Sequence, residues 1–300
     1  MLRRIEDLEN AKVRKGKYGP YLCIDRSFVP EDAEEIGEYL HEFKDLLKAN
    51  TIKACLNTIA PEVSLSWRKS MLFFDIESLG FPYDSPICMI SYSYFNGDLN
   101  TRVLFARDYS EEPAILDAFL SKTEEISDKP YVVVSYNGQA FDIPRMRNRV
   151  KQNGMAASAS SLEKLTHNHI DLIKVVRKNK AKLGLTDCSL QTVERILFDH
   201  IRSGDISGAS IPDVYHQYVY GREKDNLHPG TGYIATYGKK VDETVALQRI
   251  AEVIKHNQID TLSLVALTTY LGSTRNVYPV EWDEVKPDLQ EEEEVEALPF

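Results

Sequence analysis

Cysteine is scarce in this sequence: four in 300 residues, Cys23, Cys55, Cys88 and Cys188, far apart and with no C-x-x-C pair. That argues against a zinc ribbon and for a reduced, intracellular chain. No run of about 18 apolar residues is present that could span a membrane, and no apolar stretch long enough for a signal peptide opens the chain. A cytoplasmic location with no membrane partner is the expectation. No internal repeat is visible. Positive charge is also short, with 36 Lys and Arg against 46 Asp and Glu, for a net charge of −10. Taken whole, that opposes a nucleic-acid partner, but the imbalance is local. Residues 281–300 hold nine acids and one lysine, so about −2 remains for the rest of the chain. Basic clusters lie within that near-neutral body: Arg145, Arg147, Arg149 and Lys151, then Lys174, Arg177, Lys178, Lys180 and Lys182. They read as solvated helix faces, or as phosphate contacts if they flank an acidic site.

Apolar material is ample, at 43% of residues, and suits one large domain or two modest ones. Residues 1–66 read as a small N-terminal α+β extension packed on the main domain. It comprises a strand pair in "KYGPYLCIDRSFV" and a helix opened by Pro30, with Ile36, Leu40, Phe43 and Leu47 on one face. From residue 70 the pattern becomes strand-like. "MLFFDIE", "ICMISYSYF" ended by Asn96-Gly97, and "TRVLFA" are three strands, with a helix near 111–126. "YVVVSY" is a buried strand ended by Asn137-Gly138, and "FDIPRMRNRVKQNG" a loop running into a helix. "HIDLIKVVRK" runs from a short extended piece into a helix, Ser189 caps the next one, and the chain is then mostly helical to about 271. This predicts an α/β fold with a mixed sheet flanked by helices over 67–275, followed by an acidic tail over 276–300.

"FFDIES" carries two acids, Asp75 and Glu77, one residue apart in a strand that should be apolar. Alternate strand residues share a face, so both point the same way. Either the strand ends at Ile76 and both are solvated, or a divalent cation lies between them. Asp142, just past the end of "YVVVSY", is either a helix N-cap or a further acid at the sheet edge where α/β folds place their sites. His256 and Asp260, four apart in "HNQIDTLSLVAL", share a helix face flanked by Ile259, Leu262 and Leu264. His256 is alternatively an ordinary buried histidine.

In order, the chain presents D-x-E on a strand, N-G-x-x-F-D-x-P after another, and H-x-x-x-D on a late helix. This combination resembles the DEDD exonucleases, which have the ribonuclease H-like fold. "HIDL", "DCSLQTVERIL", "IPDVYHQYV" and "HNQIDTLSLVAL" are similar to the prokaryotic branch often labelled YprB-like, over about residues 70–271. One departure stands out. Histidine-type members place His five residues before the last Asp and tyrosine-type members place Tyr four before; here a histidine holds the tyrosine spacing.

The resemblance implies 3′-to-5′ hydrolysis of single-stranded DNA or RNA with two Mg²⁺ or Mn²⁺ ions, hard cations that suit a carboxylate-rich, cysteine-free site. It makes Asp75 the bridging ligand, with Glu77 and Asp260 on one ion, Asp142 on the other and His256 as general base. Asn137 and Gln139 become candidates for touching the terminal nucleotide, and Phe141 for stacking on a base or filling the core. Lys174, Arg177 and Lys178 are candidate phosphate contacts. Asp171 is either a support of the site or a helix cap. A same-fold endonuclease and a catalytically silent nucleic-acid-binding protein are the competing readings. The last residues, an acidic run ending in Leu298-Pro299-Phe300, look like the tip of bacterial single-strand-binding proteins. They suggest either a solvated tail or one that docks through Phe300 on a DNA-processing partner.

Overall fold

The structure is a computed structural model that describes residues 3–28, 48–61, 70–80, 82–127, 131–167, 169–202, 206–223, 238–275 and 277–279. The helix expected after Pro30, the tail beyond residue 279 and most of the 221–238 loop lie outside the described residues.

The architecture grows from β3 (Ser70–Ser78), whose residues Met71 to Phe74 are buried on both faces. A strand buried on both sides needs a continuous apolar run rather than an alternating one, and "MLFF" supplies it. β3 pairs antiparallel with β4 (Ile87–Asn96), which turns through Gly97, at φ +82°, into β5 (Asp98–Phe105). A left-handed turn position is where glycine costs least. On the other side β3 pairs in parallel with β6 (Tyr131–Ser135), and β6 with the short β7 (His169–Asp171). The hairpin β1 (Ala11–Gly16) and β2 (Gly19–Phe28) joins by pairing β2 with β5, giving one seven-stranded mixed sheet in the order β1-β2-β5-β4-β3-β6-β7.

Helices cover both faces, as the mixed α/β reading expects. They are α1 (Ala49–Ile59), α2 (Glu112–Ser127), α3 (Asp142–Gln152), α4 (Ala159–His167), α5 (Leu172–Asn179), α6 (Leu190–Leu197), α7 (Ile211–Tyr220) and α8 (Glu243–Ser273). The period of two in β3 sorts the core. Leu72, Phe74 and Ile76 pack with Ile115, Leu116 and Phe119 of α2 and Ile143 and Met146 of α3. Met71 and Phe73 face the opposite layer, against α1, α5 and Leu264, Val265 and Leu267 of α8. Asp75 and Glu77 continue this second face and so point toward α8.

α4 has no counterpart in the sequence reading, because the Ser- and Ala-rich run before it shows little periodicity; Leu162 and Leu165, three apart, bury its one apolar edge. Ser189 caps α6 as expected, its hydroxyl accepting from the Thr192 N–H. Arg145 and Arg149 depart from the solvated-face reading. Arg145 is 2% exposed, and Arg149 forms a buried ion pair with Glu112, whose carboxylate also accepts from the Ile87 N–H and the Asn153 amide. Among the described residues no helix is long and apolar enough to cross a membrane.

The 31-residue α8 is capped by Asp242, which accepts from the Thr244 and Val245 N–H groups. Its far end meets α1 at Gly272, where an added Cβ would lie 2.3 Å from Cys55 Cβ and 2.4 Å from Cys55 Cα. That close approach holds α8 across the sheet. Gly272→Ala is therefore expected to destabilise the protein by about 1–3 kcal/mol, the overpacking cost exceeding the roughly 1 kcal/mol gained in helix propensity. Thermal unfolding checks this, with Gly208→Ala, where an added Cβ meets nothing within 4 Å, as the neutral control; a melting temperature unchanged in the Gly272 variant would refute it.

Candidate metal centre

Two rows of polar groups interrupt the apolar face of β3 and β4 where α8 crosses them. Ser93 is opposite Phe73 and Ser91 opposite Asp75 in the antiparallel register. Both serines are fully buried, and both reach α8: Ser91 Oγ donates to the Asn257 carbonyl at 2.7 Å, and Ser93 Oγ to Thr261 Oγ1 at 2.9 Å. Asn257 Nδ2 in turn donates to Asp75 Oδ2 at 2.6 Å. The helix is thus fixed in rotation and height over the two acids, and this fixing brings His256 and Asp260 to Glu77. Ligand atoms of Glu77, His256 and Asp260 all lie within 4.8 Å of one another. His256 Nε2 is 3.3 Å from Asp260 Oδ2 and 3.7 Å from Glu77 Oε1, and the three side chains are only 9–12% exposed.

Asp142 enters from the other side. After β6, Asn137 adopts φ +66°, a left-handed conformation that asparagine tolerates better than most residues. Asp171 holds the turn that follows, accepting from the Asn137 N–H at 2.6 Å and the Gln139 N–H at 3.1 Å while capping α5 through the Ile173 N–H. Both earlier readings of Asp171, support and cap, describe one carboxylate. An added Cβ on Gly138 would lie 2.2 Å from Ser135 Oγ and 2.9 Å from Asp142 Oδ2. A bare backbone there lets Asp142 sit close, one residue inside α3 rather than at its cap, where Phe141 stands. Asp142 is 3% exposed, and its Oδ2 is buried without a hydrogen-bond partner among the described residues.

The electrostatics follow from crowding. Burial raises the Asp75 pKa well above the usual carboxylate range, and the charges of Asp260, Asp142 and Glu77 add to it, opposed by Arg202. Burial likewise lifts Glu77 to about 8, with His256 opposing and Asp260 adding. Asp142 is raised by burial and then by Asp171 and Glu77, with Arg145 opposing. Like charges brought this close disfavour ionisation unless a cation balances them. Four oxygen-donor side chains, one imidazole and an unsatisfied buried carboxylate oxygen fit a hard divalent cation.

Arg202 was not anticipated from the sequence. Its guanidinium, 6% exposed, is gripped by Glu194 at 2.7 Å (Nε) and 2.6 Å (Nη2), donates from Nη2 to Asp260 Oδ1 at 2.5 Å, and from Nη1 to His256 Nδ1 at 3.2 Å. Asn257 was also missed, although its place beside His256 in "HNQID" was visible. Phe141 has the Arg145 guanidinium carbon 3.3 Å from its ring centroid, and the outer side of Arg145 meets Tyr83, itself 54% exposed. Lys174 sits beside Asp171 and His169, Arg177 near Tyr136, and Arg177 and Lys178 are exposed on α5.

Comparison with known proteins places the chain. A sequence model of the RNase H superfamily matches residues 72–272. The uncharacterised protein YprB of Bacillus subtilis is 25% identical over 209 residues, which cover 68% of this chain and 42% of that protein. Among solved structures, the family B DNA polymerase of Pyrobaculum calidifontis is similar at 17% identity and a TM-score of 0.44, covering 69% of this chain and 26% of the polymerase. Exonuclease I of E. coli in complex with a dT13 oligonucleotide is similar at 15% identity and a TM-score of 0.35, covering 64% of this chain and 42% of that chain. The chain thus spans less than half the length of each.

The raised carboxylates carry a pH signature. A carboxyl whose folded pKa exceeds its unfolded value near 4.3 adds stability below that value and loses it as pH rises through the folded one. For Glu77 the window runs from about pH 4.5 to about 8. Glu77→Gln in EDTA is expected to be more stable than the parent at pH 8, by on the order of 1–3 kcal/mol, with the difference shrinking as pH falls and vanishing below about pH 4.5. Denaturant unfolding of both proteins across this range tests it; a difference independent of pH would refute the burial of an uncompensated charge at Glu77.

Proposed function

We propose, on the premise that this chain belongs to the RNase H superfamily, that it is a metal-dependent 3′-to-5′ exonuclease acting on single-stranded DNA or RNA. The observation that carries the reading is the convergence of Asp75, Glu77, Asp142 and Asp260 from three separate elements, each close enough to disturb another's ionisation. A stable fold gains nothing from such a cluster by itself, whereas phosphodiester hydrolysis has a use for it.

Asp75, Glu77, Asp142 and Asp260 would hold two Mg²⁺ or Mn²⁺ ions. Such ions, when bound, supply an activated water, charge neutralisation at the phosphorus and stabilisation of the leaving oxygen. The chain's own residues do the rest. Asn257 orients the Asp75 carboxylate, Asp171 pins the 137–139 turn, and His256 is our candidate for receiving the proton of the attacking water. Asn137 and Gln139 are proposed to touch the terminal nucleotide and Phe141 to stack on a base, with the exposed ring of Tyr83 nearby as a second aromatic face. Lys174, Arg177 and Lys178 on α5 are proposed to follow the phosphate backbone. We take residues 67–275 as the nuclease domain, with 1–66 as its extension and a cytoplasmic location. For the tail we propose docking on a DNA-processing protein through Phe300; deleting residues 291–300 should leave oligonucleotide cleavage unchanged and remove that protein from a pull-down, and its retention would refute the docking.

End-labelled single- and double-stranded DNA and RNA oligonucleotides, incubated with Mg²⁺, Mn²⁺ or EDTA, test the activity. The expected result is stepwise shortening from the 3′ end that EDTA abolishes. Asp75→Asn should lower the rate by at least about 10²-fold, the scale of a lost transition-state charge contact, with the fold retained. A circular single strand should survive; its cleavage would make the enzyme an endonuclease. Nucleic-acid binding indifferent to metal, with no cleavage, would make the protein a silent binder, and a wild-type rate in purified Asp75→Asn would overturn the site.

A further inference from the structure

Arg202 lies far from the acids in sequence yet touches two of the residues on which the proposed chemistry rests. A guanidinium offers five N–H donors and no acceptor, and it stays charged in proteins. Burial alone would lower its pKa, but Asp260 and Glu194 more than offset this, so the charge is held firmly. Four of its donors have assigned directions: Nε and Nη2 to the two oxygens of Glu194, Nη2 again to Asp260 Oδ1, and Nη1 to His256 Nδ1. Because Nη1 can only donate, His256 Nδ1 can only accept. The neutral ring must then carry its hydrogen on Nε2, the nitrogen that faces Asp260 Oδ2 and Glu77 Oε1. One cation therefore decides which oxygen of Asp260 is left to face the centre and which nitrogen of His256 bears the hydrogen.

The anchor behind it is equally specific. Glu194 is 1% exposed and also accepts from Ser263 Oγ at 2.5 Å. Ser263 lies three residues beyond Asp260, about one turn along α8. The chain of contacts from Asp260 to Arg202, Glu194 and Ser263 therefore returns to the helix it started from, leaving the guanidinium little freedom to drift. A buried ion pair kept only for stability would need Glu194 alone; the reach to both Asp260 and His256 is what a purely structural role leaves unexplained.

We propose that Arg202 is a positioning residue of this centre, setting the orientation of the Asp260 carboxylate and the tautomer of His256 through a single guanidinium. The proposal rests on the metal-centre reading for its effect on metal affinity, but not for its effect on the imidazole. In this arrangement His256 donates toward the carboxylates, and it presents Nε2 as an acceptor only when Nη1 leaves Nδ1.

The test uses the full chain as wild type, Arg202→Ala and Arg202→Lys, with circular dichroism to confirm folding. Long-range ¹H–¹⁵N spectra of the imidazoles in metal-free protein read the tautomer, and electron paramagnetic resonance of free Mn²⁺ reads the affinity. Wild type should show His256 as a single Nε2–H tautomer. Arg202→Ala should give a mixture of tautomers and about 10–100-fold weaker Mn²⁺ binding, the range for losing a partner of a metal ligand. Lysine keeps the charge without the fork and should bind Mn²⁺ with intermediate affinity while leaving the tautomers mixed. A folded Arg202→Ala protein with the wild-type ring pattern and Mn²⁺ affinity would overturn the proposal; should that variant not fold, the same result in Arg202→Lys overturns it. Wild type that binds no Mn²⁺ would sink the metal-centre reading, while the imidazole spectra would still decide the role of Arg202.

Discussion

The odd-numbered face of β3 is apolar as far as Phe73 and acidic from Asp75 onward, and α8 lies across both halves. That junction constrains the rest of the molecule. The apolar half needs a helix packed tightly on the sheet, which Leu264, Val265 and Leu267 provide. The acidic half needs polar partners from the same helix without water filling the gap. The solution is a short polar seam, Ser91 and Ser93 from β4 and Asn257 and Thr261 from α8, in which buried hydroxyls and amides satisfy one another. A rotation of α8 by one residue would turn Asn257 and His256 out of reach of the acids and break both serine contacts. The seam thus converts a packing requirement into a placement requirement for His256 and Asp260.

Buried acids elsewhere in the same fold show what a structurally satisfied carboxylate looks like. Glu112 has Arg149, the Ile87 N–H and Asn153. Asp171 has three backbone N–H groups. Glu111 has Arg107, which also reaches Glu6. Asp142, three residues after Gln139, has an oxygen with no donor among the described residues. The protein is able to pair its buried charges, as it also does for Asp260 with Arg202, and leaves this oxygen of Asp142 unmatched. Burying an unpaired carboxylate costs several kcal/mol unless it takes a proton or a cation. A fold that crowds Asp75, Glu77 and Asp142 so closely that all three resist ionisation is carrying a destabilising feature whose benefit lies in the bound state, and features of this kind concentrate at functional centres.

The fold was legible wherever a single period dominated. The continuous "MLFF" and "YVVV" runs, the Asn96-Gly97 turn, the Ser189 cap and the four-residue spacing of His256 and Asp260 all carried their structure on their face, because each depends on neighbours in sequence. α4 was not legible, since two leucines three apart within a serine-rich run give too weak a period. The basic cluster after Asp142 was misleading for a different reason. Composition counts charges, but the helix sends Arg147 and Lys151 to solvent while turning Arg145 and Arg149 inward. Asp75, Glu77 and Asp142 could be singled out as candidates because strand alternation and strand ends are local rules, and Asp260 because helix spacing is. Arg202, Glu194 and Ser263 could not, because their meeting depends on how α6 and the segment after it pack on α8, which no local pattern encodes.

The unusual histidine spacing finds a physical reason in that meeting. On a helix, residues four apart are offset by about 40° around the axis and residues five apart by about 140°. At the four-residue spacing His256 and Asp260 stand one above the other on one face, near enough for their side chains to touch at 3.3 Å. A single guanidinium approaching that face can then reach an atom of each, Nδ1 of the ring and Oδ1 of the carboxylate, from one anchored position. At the five-residue spacing the ring would leave from a different side of the helix, and the same cation could serve one acceptor or the other. The spacing and the arginine therefore belong to one design. A histidine placed directly over the last aspartate needs something to hold it in a defined tautomer against two nearby carboxylates, and Arg202, braced by a glutamate that is itself tied back to the same helix, is in the place to do so.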